Sequence, residues 1–306
     1  MRFSGHESFA CRYAWLPKAC RAIADDPAAF TNEERAMVRI GVGKNMVRSI
    51  RFWAEVIGVA TPQPDKTLER TRFGRAVFAD DGFDPFLEDA RTLWLLHWNV
   101  ATRFEDPLFA WDFLFYKWPY AELTRSEALA AFVRESRRLN MSHSEVTLGQ
   151  HLDVFLHTYI PTRVAKGGLE ESLDCPLAEL ELLHQVGERR VDGSGRREPV
   201  YAFRREAKPE VTTALFEYCL DDYWRRRRAG EATLSYRDVA TAPGSIGQAF
   251  KLPEDDIRSR LDAYALTDSH RPFGYQPSAV QGLVSRHDVG ECDFLARVYT
   301  EEANGG

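Results

Sequence analysis

Between residues 44 and 57 the apolar positions Val47, Ile50, Ala54 and Ile57 recur at spacings of three and four. That period places them on one face of a helix, which Gly58 closes. Two shorter helices precede it. LPKACRAIADD, with Pro17 at a position tolerated in a first turn, predicts a helix over 17–26. Thr31 and Glu34 stand as a T-x-x-E capping box ahead of RAMVRI, with Gly41 as the stop.

After Gly58, two extended segments, Val59-Ala60 and TLERTRF ending at Gly74, flank the Pro-containing turn TPQPDK and predict a hairpin. Three helices and a hairpin is the order of a winged helix-turn-helix, with the third helix as the reading helix and the hairpin as the wing.

Further along, the run from Asp84 to Phe115 is apolar and rich in Trp and Phe. Its helical spacing reads as core, although an aromatic cage or base-stacking platform is the alternative for Trp94, Trp98, Phe113 and Phe115. Helices follow near SEALAAFVRES and TLGQHLDVFLHTYI, the latter ended by Pro161. A polar hairpin then turns at Asp192-Gly193 and Gly195. The last third opens with the helix VTTALFEYCLDDYW and continues through TLSYRDVA, GSIGQAFKL and EDDIRSRLDAYA to the extended GYQPSAVQGLV.

The fold class that follows is mainly α, a multi-domain helical chain with winged helix-turn-helix units and small β-hairpin wings. Its expected divisions are a winged-helix domain over 1–83, an aromatic-rich helical domain with a hairpin over 84–207, and a winged-helix-like domain over 208–306.

Composition narrows the function. A formal net charge of −6 over 306 residues gives no general attraction for nucleic acid, so a local cationic stripe needs its own explanation. Lys44, Arg48 and Arg51 form such a stripe at i, i+4 and i+7, adjoined by Asn45 and Ser49, with Lys66, Arg70 and Arg72 on the wing. In a winged-helix order these residues point to duplex DNA; a solvated helix face is the plain alternative. The run Arg225–Arg228 reads equally as a helix end that favours positive charge or as a phosphate clamp.

No apolar run spans a bilayer, and the start lacks the order of a secretion signal, so a cytoplasmic protein is expected. Five scattered cysteines with no C-x-x-C pair read as reduced thiols, not a zinc site. Within FSGHESF, His6 has the chemistry of an acid, base or metal ligand, with Glu7 as partner or second ligand; pinning the segment onto the core is the competing role. His151 and Asp153 diverge on a helix, which leaves His143 or His157 to join a distant residue. Asp192 with Glu206-Ala207-Lys208 has the arrangement that holds Mg²⁺ over a scissile phosphate, but on a short, common pattern. Walker, dinucleotide and nucleophile-elbow motifs are absent.

FSGHESFACRYAWLPKA, VRIGVGKNMVRSIRFWAEVIGV and TRFGRAVFADDGFDPFLEDARTLWLLHW together resemble the bacterial domain-of-unknown-function family numbered four thousand and seven, over nearly the whole chain. The resemblance extends to the nicking component of single-strand DNA phosphorothioation systems in antiphage defence. It implies nicking of one strand of duplex DNA with Mg²⁺, beside sulfur-transfer and ATPase partners, and leaves homo-oligomer formation open. His6 and Glu7 are the catalytic candidates, and Ala10 stands where relatives carry Pro. The competing functions are a non-catalytic winged-helix adaptor or regulator, and a scaffold that docks its partners on the aromatic region.

Overall fold

The computed structural model describes residues 1–141, 143–161, 175–190, 197–265, 271–278, 281–288 and 292–301. Thirteen α-helices and eight short strands lie among them, so the chain is mainly α with small antiparallel sheets. None of the described helices is long and apolar enough to cross a membrane. The chain divides into two compact units, residues 1–100 with 106–204 and residues 101–105 with 205–306.

Unit 1 opens with α1 (Trp15–Asp25), α2 (Glu33–Ile40) and α3 (Lys44–Val56). The apolar faces read from the spacing are the buried faces: Val47, Ile50, Ala54 and Ile57 are each at most 2% exposed. The cap of α2 differs from the expected box. Asn32, not Thr31, accepts the Arg35 N–H, while the Thr31 hydroxyl donates to the Ala28 carbonyl. Asn in an extended conformation caps as well as Thr, and a shift of one residue moves the box out of register.

Strands β1 (Ala60–Pro62) and β2 (Leu68–Arg70) pair antiparallel, as expected of the hairpin. The expected continuation of the second strand to Gly74 is corrected, because Thr71 caps a helix α4 (Arg72–Phe78) by accepting the Gly74 N–H. Gly74 does not stop this helix; it allows a close approach. A Cβ there would lie 2.1 Å from the Val59 carbonyl oxygen, which only a hydrogen in place of the side chain permits.

Helices α5 (Ala90–Ala101) and α6 (Phe109–Tyr116) carry the aromatic run. Trp94, Trp98, Phe113 and Phe115 are all buried, which makes them core and leaves no open stacking platform. Each such side chain removed from water contributes roughly 1.5–3 kcal/mol. Next come β3 (Glu122–Thr124), α7 (Arg125–Arg138), α8 (Glu145–Tyr159), a 3-10 turn (Pro176–Leu180), β4 (Leu183–Arg190) and β5 (Arg197–Phe203). Their sheet runs β3-β5-β4, so the first strand pairs with the far arm of the later hairpin. The expected turn at Asp192, Gly193 and Gly195 lies outside the described residues.

Unit 2 repeats that order. It contains α9 (Thr213–Arg227), β6 (Thr233–Ser235), α10 (Tyr236–Ala240), α11 (Ile246–Ala249), α12 (Glu254–Ala265), β7 (Phe273–Gln276), β8 (Leu283–Arg286) and α13 (Phe294–Thr300). Its sheet runs β6-β8-β7. The Arg run is a helix end. Arg225 pairs with Asp221 at 2.6 Å, Arg226 with Asp222, and Arg228 with Asp238 at 2.9 Å, while Arg227 lies 4.8 Å over the Phe104 ring. Positive charge there also faces the negative end of α9. All five cysteines are free thiols, four of them buried.

Candidate nucleic-acid interface

Helix α3 presents its charged residues because its opposite face is spent on the core. Gly43 leads into it with extended backbone and no side-chain cap, so the first turn is open to solvent. Lys44 is 57% exposed, Arg48 is 42% exposed and Asn45 is exposed beside them. Neither cation is unaccompanied. Glu33 at the start of α2 accepts from Lys44 Nζ at 2.9 Å and from Arg48 Nε at 2.6 Å, and Glu7 lies 4.0 Å from Arg48. Arg48 first, then Lys44, hold the Glu33 carboxyl down at about 2. Arg51 turns back to Glu55 at 2.9 Å and toward the carbonyls of Phe30 and Lys66. The stripe therefore carries its own carboxylates.

Ser49 leaves the expected contact set. It is fully buried, and its hydroxyl donates to the His6 carbonyl at 2.7 Å. It sits one residue from Arg48 and so falls on the core side of the cylinder. In the hairpin, Lys66 is exposed with a φ of 69°, and Arg70 is half-buried. Arg72 is exposed on the first turn of α4, not on the wing.

The N-terminal motif resolves into a clasp. Arg2 forms a parallel bridge with Leu108, and the Phe109 N–H donates to the Arg2 carbonyl. His6 is 4% exposed, and its Nε2 lies 3.0 Å from Nδ1 of His151. His151 Nε2 in turn accepts the Ala110 N–H at 3.1 Å, an amide in the first turn of α6 that Leu108 does not cap. Such an amide, if buried without a partner, would be costly. The Trp53 indole N–H donates to the Phe9 carbonyl, tying the segment to α3 as well.

The Ser8 N–H faces His6 Nδ1 at 3.2 Å, so both His6 nitrogens meet a neighbour, but two neutral imidazoles in series can accept at only one outer nitrogen, and this contact and the Ala110 bond alternate with the tautomer. Glu7 and Ser8 take positive φ to make the bend, and Glu7 faces Arg48. The partner of His6 is thus His151, on a helix face from which the sequence alone sent it elsewhere.

Burial lowers the His6 pKa to about 4 and pushes that of His151 well down, with the charges of His6 and His143 acting in the same direction on His151. A base that is neutral when folded but protonated when unfolded makes stability fall as pH drops below the unfolded value. His6 accordingly contributes its full share above about pH 6.5 and loses it toward pH 4, a difference on the order of 3 kcal/mol. Urea midpoints at pH 7.5 and pH 5 measure this. The drop is expected to shrink clearly in His6→Gln, and an equal drop in both proteins would refute the assignment.

Lys208 is fully buried with its ammonium on the Glu206 carbonyl at 3.0 Å, and Asp192 lies outside the described residues. Among the described residues no group of three His, Cys, Asp or Glu could hold a metal ion. Glu7 with His6 does not make a magnesium site, since His6 offers no free nitrogen and a carboxylate paired with Arg48 is a single ligand.

A mainly α protein with repeated helix-and-hairpin modules and a guarded cationic helix is the class these features define. The chain belongs to the family described as protein of unknown function (DUF4007), whose model matches residues 3–299. Among solved structures it is similar to a magnesium ion-bound SspB crystal structure, at 29% identity and a TM-score of 0.77, covering 92% of this chain and 82% of that one. A second SspB crystal structure matches at 27% identity with the same coverage and TM-score. Comparison with curated proteins returns no match.

Proposed function

We propose that this protein is an SspB-like component of a DNA phosphorothioation system, and that it binds duplex DNA through winged-helix modules and nicks one strand so that partner enzymes replace a phosphate oxygen by sulfur. The observation that carries the assignment to such a system is likeness to SspB over 92% of the chain. Support for DNA binding comes from the modules. A strand, two or three helices and a hairpin whose far arm pairs with that strand occur twice, and three helices followed by a two-stranded hairpin, with exposed Lys44, Asn45 and Arg48, occur once. In this reading Lys66, Arg70 and Arg72 add phosphate contacts beside α3. Duplex DNA, sulfur-transfer proteins and an ATPase are the partners.

Glu33 does not bar that role. An exposed ion pair contributes at most about 1 kcal/mol, so exchanging Glu33 for a phosphate on Lys44 and Arg48 costs little beside the counterions released. Nicking rests on the likeness alone, and no step is assigned to His6, Glu7 or a metal. A non-catalytic adaptor is the second reading, favoured by the engaged nitrogens of His6 and by the absence of a metal-binding cluster among the described residues. Supercoiled plasmid incubated with the protein and Mg²⁺, alone and with its partners, separates the two. Open-circular product supports nicking, and retarded but intact plasmid supports the adaptor.

A further inference from the structure

Unit 2 holds a concavity of about 340 Å³ lined by Tyr236, Arg237, Arg258, Tyr275, Ser278 and Gln281. Three elements build it: the start of α10, the outer face of α12 and the β7–β8 hairpin. Its lining includes no carboxylate, and neither Arg237 nor Arg258 makes an ion pair among the described residues. That contrasts with Lys44 and Arg48, which share Glu33, and with Arg51, which pairs with Glu55.

Acids flank the lining without entering it: Glu254, Asp255 and Asp262 on α12, and Asp238 on α10, which pairs with Arg228. Glu254 and Asp255 act on Tyr236, and Asp262 acts on Tyr275, from which Arg258 draws in the opposite sense. Arg258 sits 4.9 Å over the Tyr236 ring, which orients its guanidinium, and the Tyr236 hydroxyl donates to the Glu254 carbonyl.

Tyr275 lines the concavity with most of its ring covered, and its hydroxyl makes no hydrogen bond to the described residues. Gly282 makes room for it: a Cβ there would fall 2.1 Å from the Tyr275 hydroxyl oxygen. Two guanidiniums, hydroxyls of Tyr275 and Ser278 and an amide at Gln281 converge as donors, which is the chemistry of an oxyanion site. The volume is at the small end for ligand sites and suits one phosphate group better than a whole cofactor.

We propose that this concavity takes a backbone phosphate of duplex DNA, a second point of attachment separate from α3. The proposal rests on the DNA-binding reading above. Fluorescence anisotropy with a duplex of about 30 base pairs over a salt series, on the full chain, tests it. The wild type is compared with two pocket variants, Arg237→Ala with Arg258→Ala and Gln281→Glu, and with an α3 variant, Lys44→Glu with Arg48→Glu. Gln281→Glu adds a carboxylate at an exposed lining position and removes no packing.

Both pocket variants are expected to bind roughly tenfold more weakly at physiological salt, and the double arginine variant to lose about one from the log-log salt slope. Wild-type affinity and slope in both pocket variants would overturn the phosphate site, and weakened binding by the α3 variant alone would overturn it while leaving DNA binding through α3 intact. Weakened binding by the pocket variants alone supports the site and removes α3 from the reading. Absence of any wild-type binding overturns both. Inorganic phosphate at matched ionic strength that competes in wild type, with DNA affinity unchanged in the double arginine variant, would assign a small-anion site and overturn the backbone contact.

Discussion

Trp111→Ala is expected to lower the stability of unit 1 by about 4 kcal/mol. Trp111 is 1% exposed and packs edge-on against Trp53 and Phe155 at ring separations of 6.0 and 5.1 Å. It is also the first donor in a buried chain. Its indole N–H gives to the Tyr159 hydroxyl at 2.9 Å, which leaves that O–H to give to His97 Nδ1 at 2.8 Å. Truncation opens a cavity and takes away the donor to a buried oxygen, and the two costs add. Against a usual total of about 5–15 kcal/mol this is a large fraction. Trp111→Phe keeps most of the ring but not the donor, and should cost about 1–2 kcal/mol. Urea denaturation followed by tryptophan fluorescence measures both. A shift below about 1 kcal/mol for the alanine variant would contradict the packing described.

The second large effect concerns α3. Lys44→Glu combined with Arg48→Glu is expected to weaken duplex binding by roughly one to two orders of magnitude at about 150 mM salt and to reduce the salt slope by about 0.9 for each phosphate no longer neutralised. Folding should be almost unaffected, since both side chains are exposed and exposed ion pairs are weak. Glu33→Gln provides the opposite arm. Freed of their carboxylate, Lys44 and Arg48 should bind several-fold more tightly. Electrophoretic mobility shift across a salt series reads both changes. Unaltered affinity in the double reversal would show that α3 does not touch the duplex.

Most of the helical framework was legible because it depends on local period. The apolar face of α3, the hairpin after Gly58, and the burial of Trp94, Trp98 and Phe115 follow from spacing and volume alone. What escaped was decided by partners distant in the chain. His151 diverges from Asp153 on its helix and so looks unsuited to a site, yet its partner His6 lies 145 positions upstream. Glu33 reads as an ordinary acidic first turn of α2, and nothing local marks it as the counter-charge of α3. Gly74 looks like a stop until the Val59 carbonyl is placed against it. The pocket in unit 2 joins a helix start, a helix face and a hairpin, so no single window of sequence contains it.

The clasp has a consequence for synthesis. Residues 2–9 bind α3 locally but also require Leu108 and His151, which leave the ribosome many seconds later at ordinary elongation rates of about 5–20 residues per second. Until α8 is complete, Phe3 and His6 have no interior to enter, and the loops that must close around them are long. Within unit 1 this segment precedes α6 and α8 in the chain yet settles only after them.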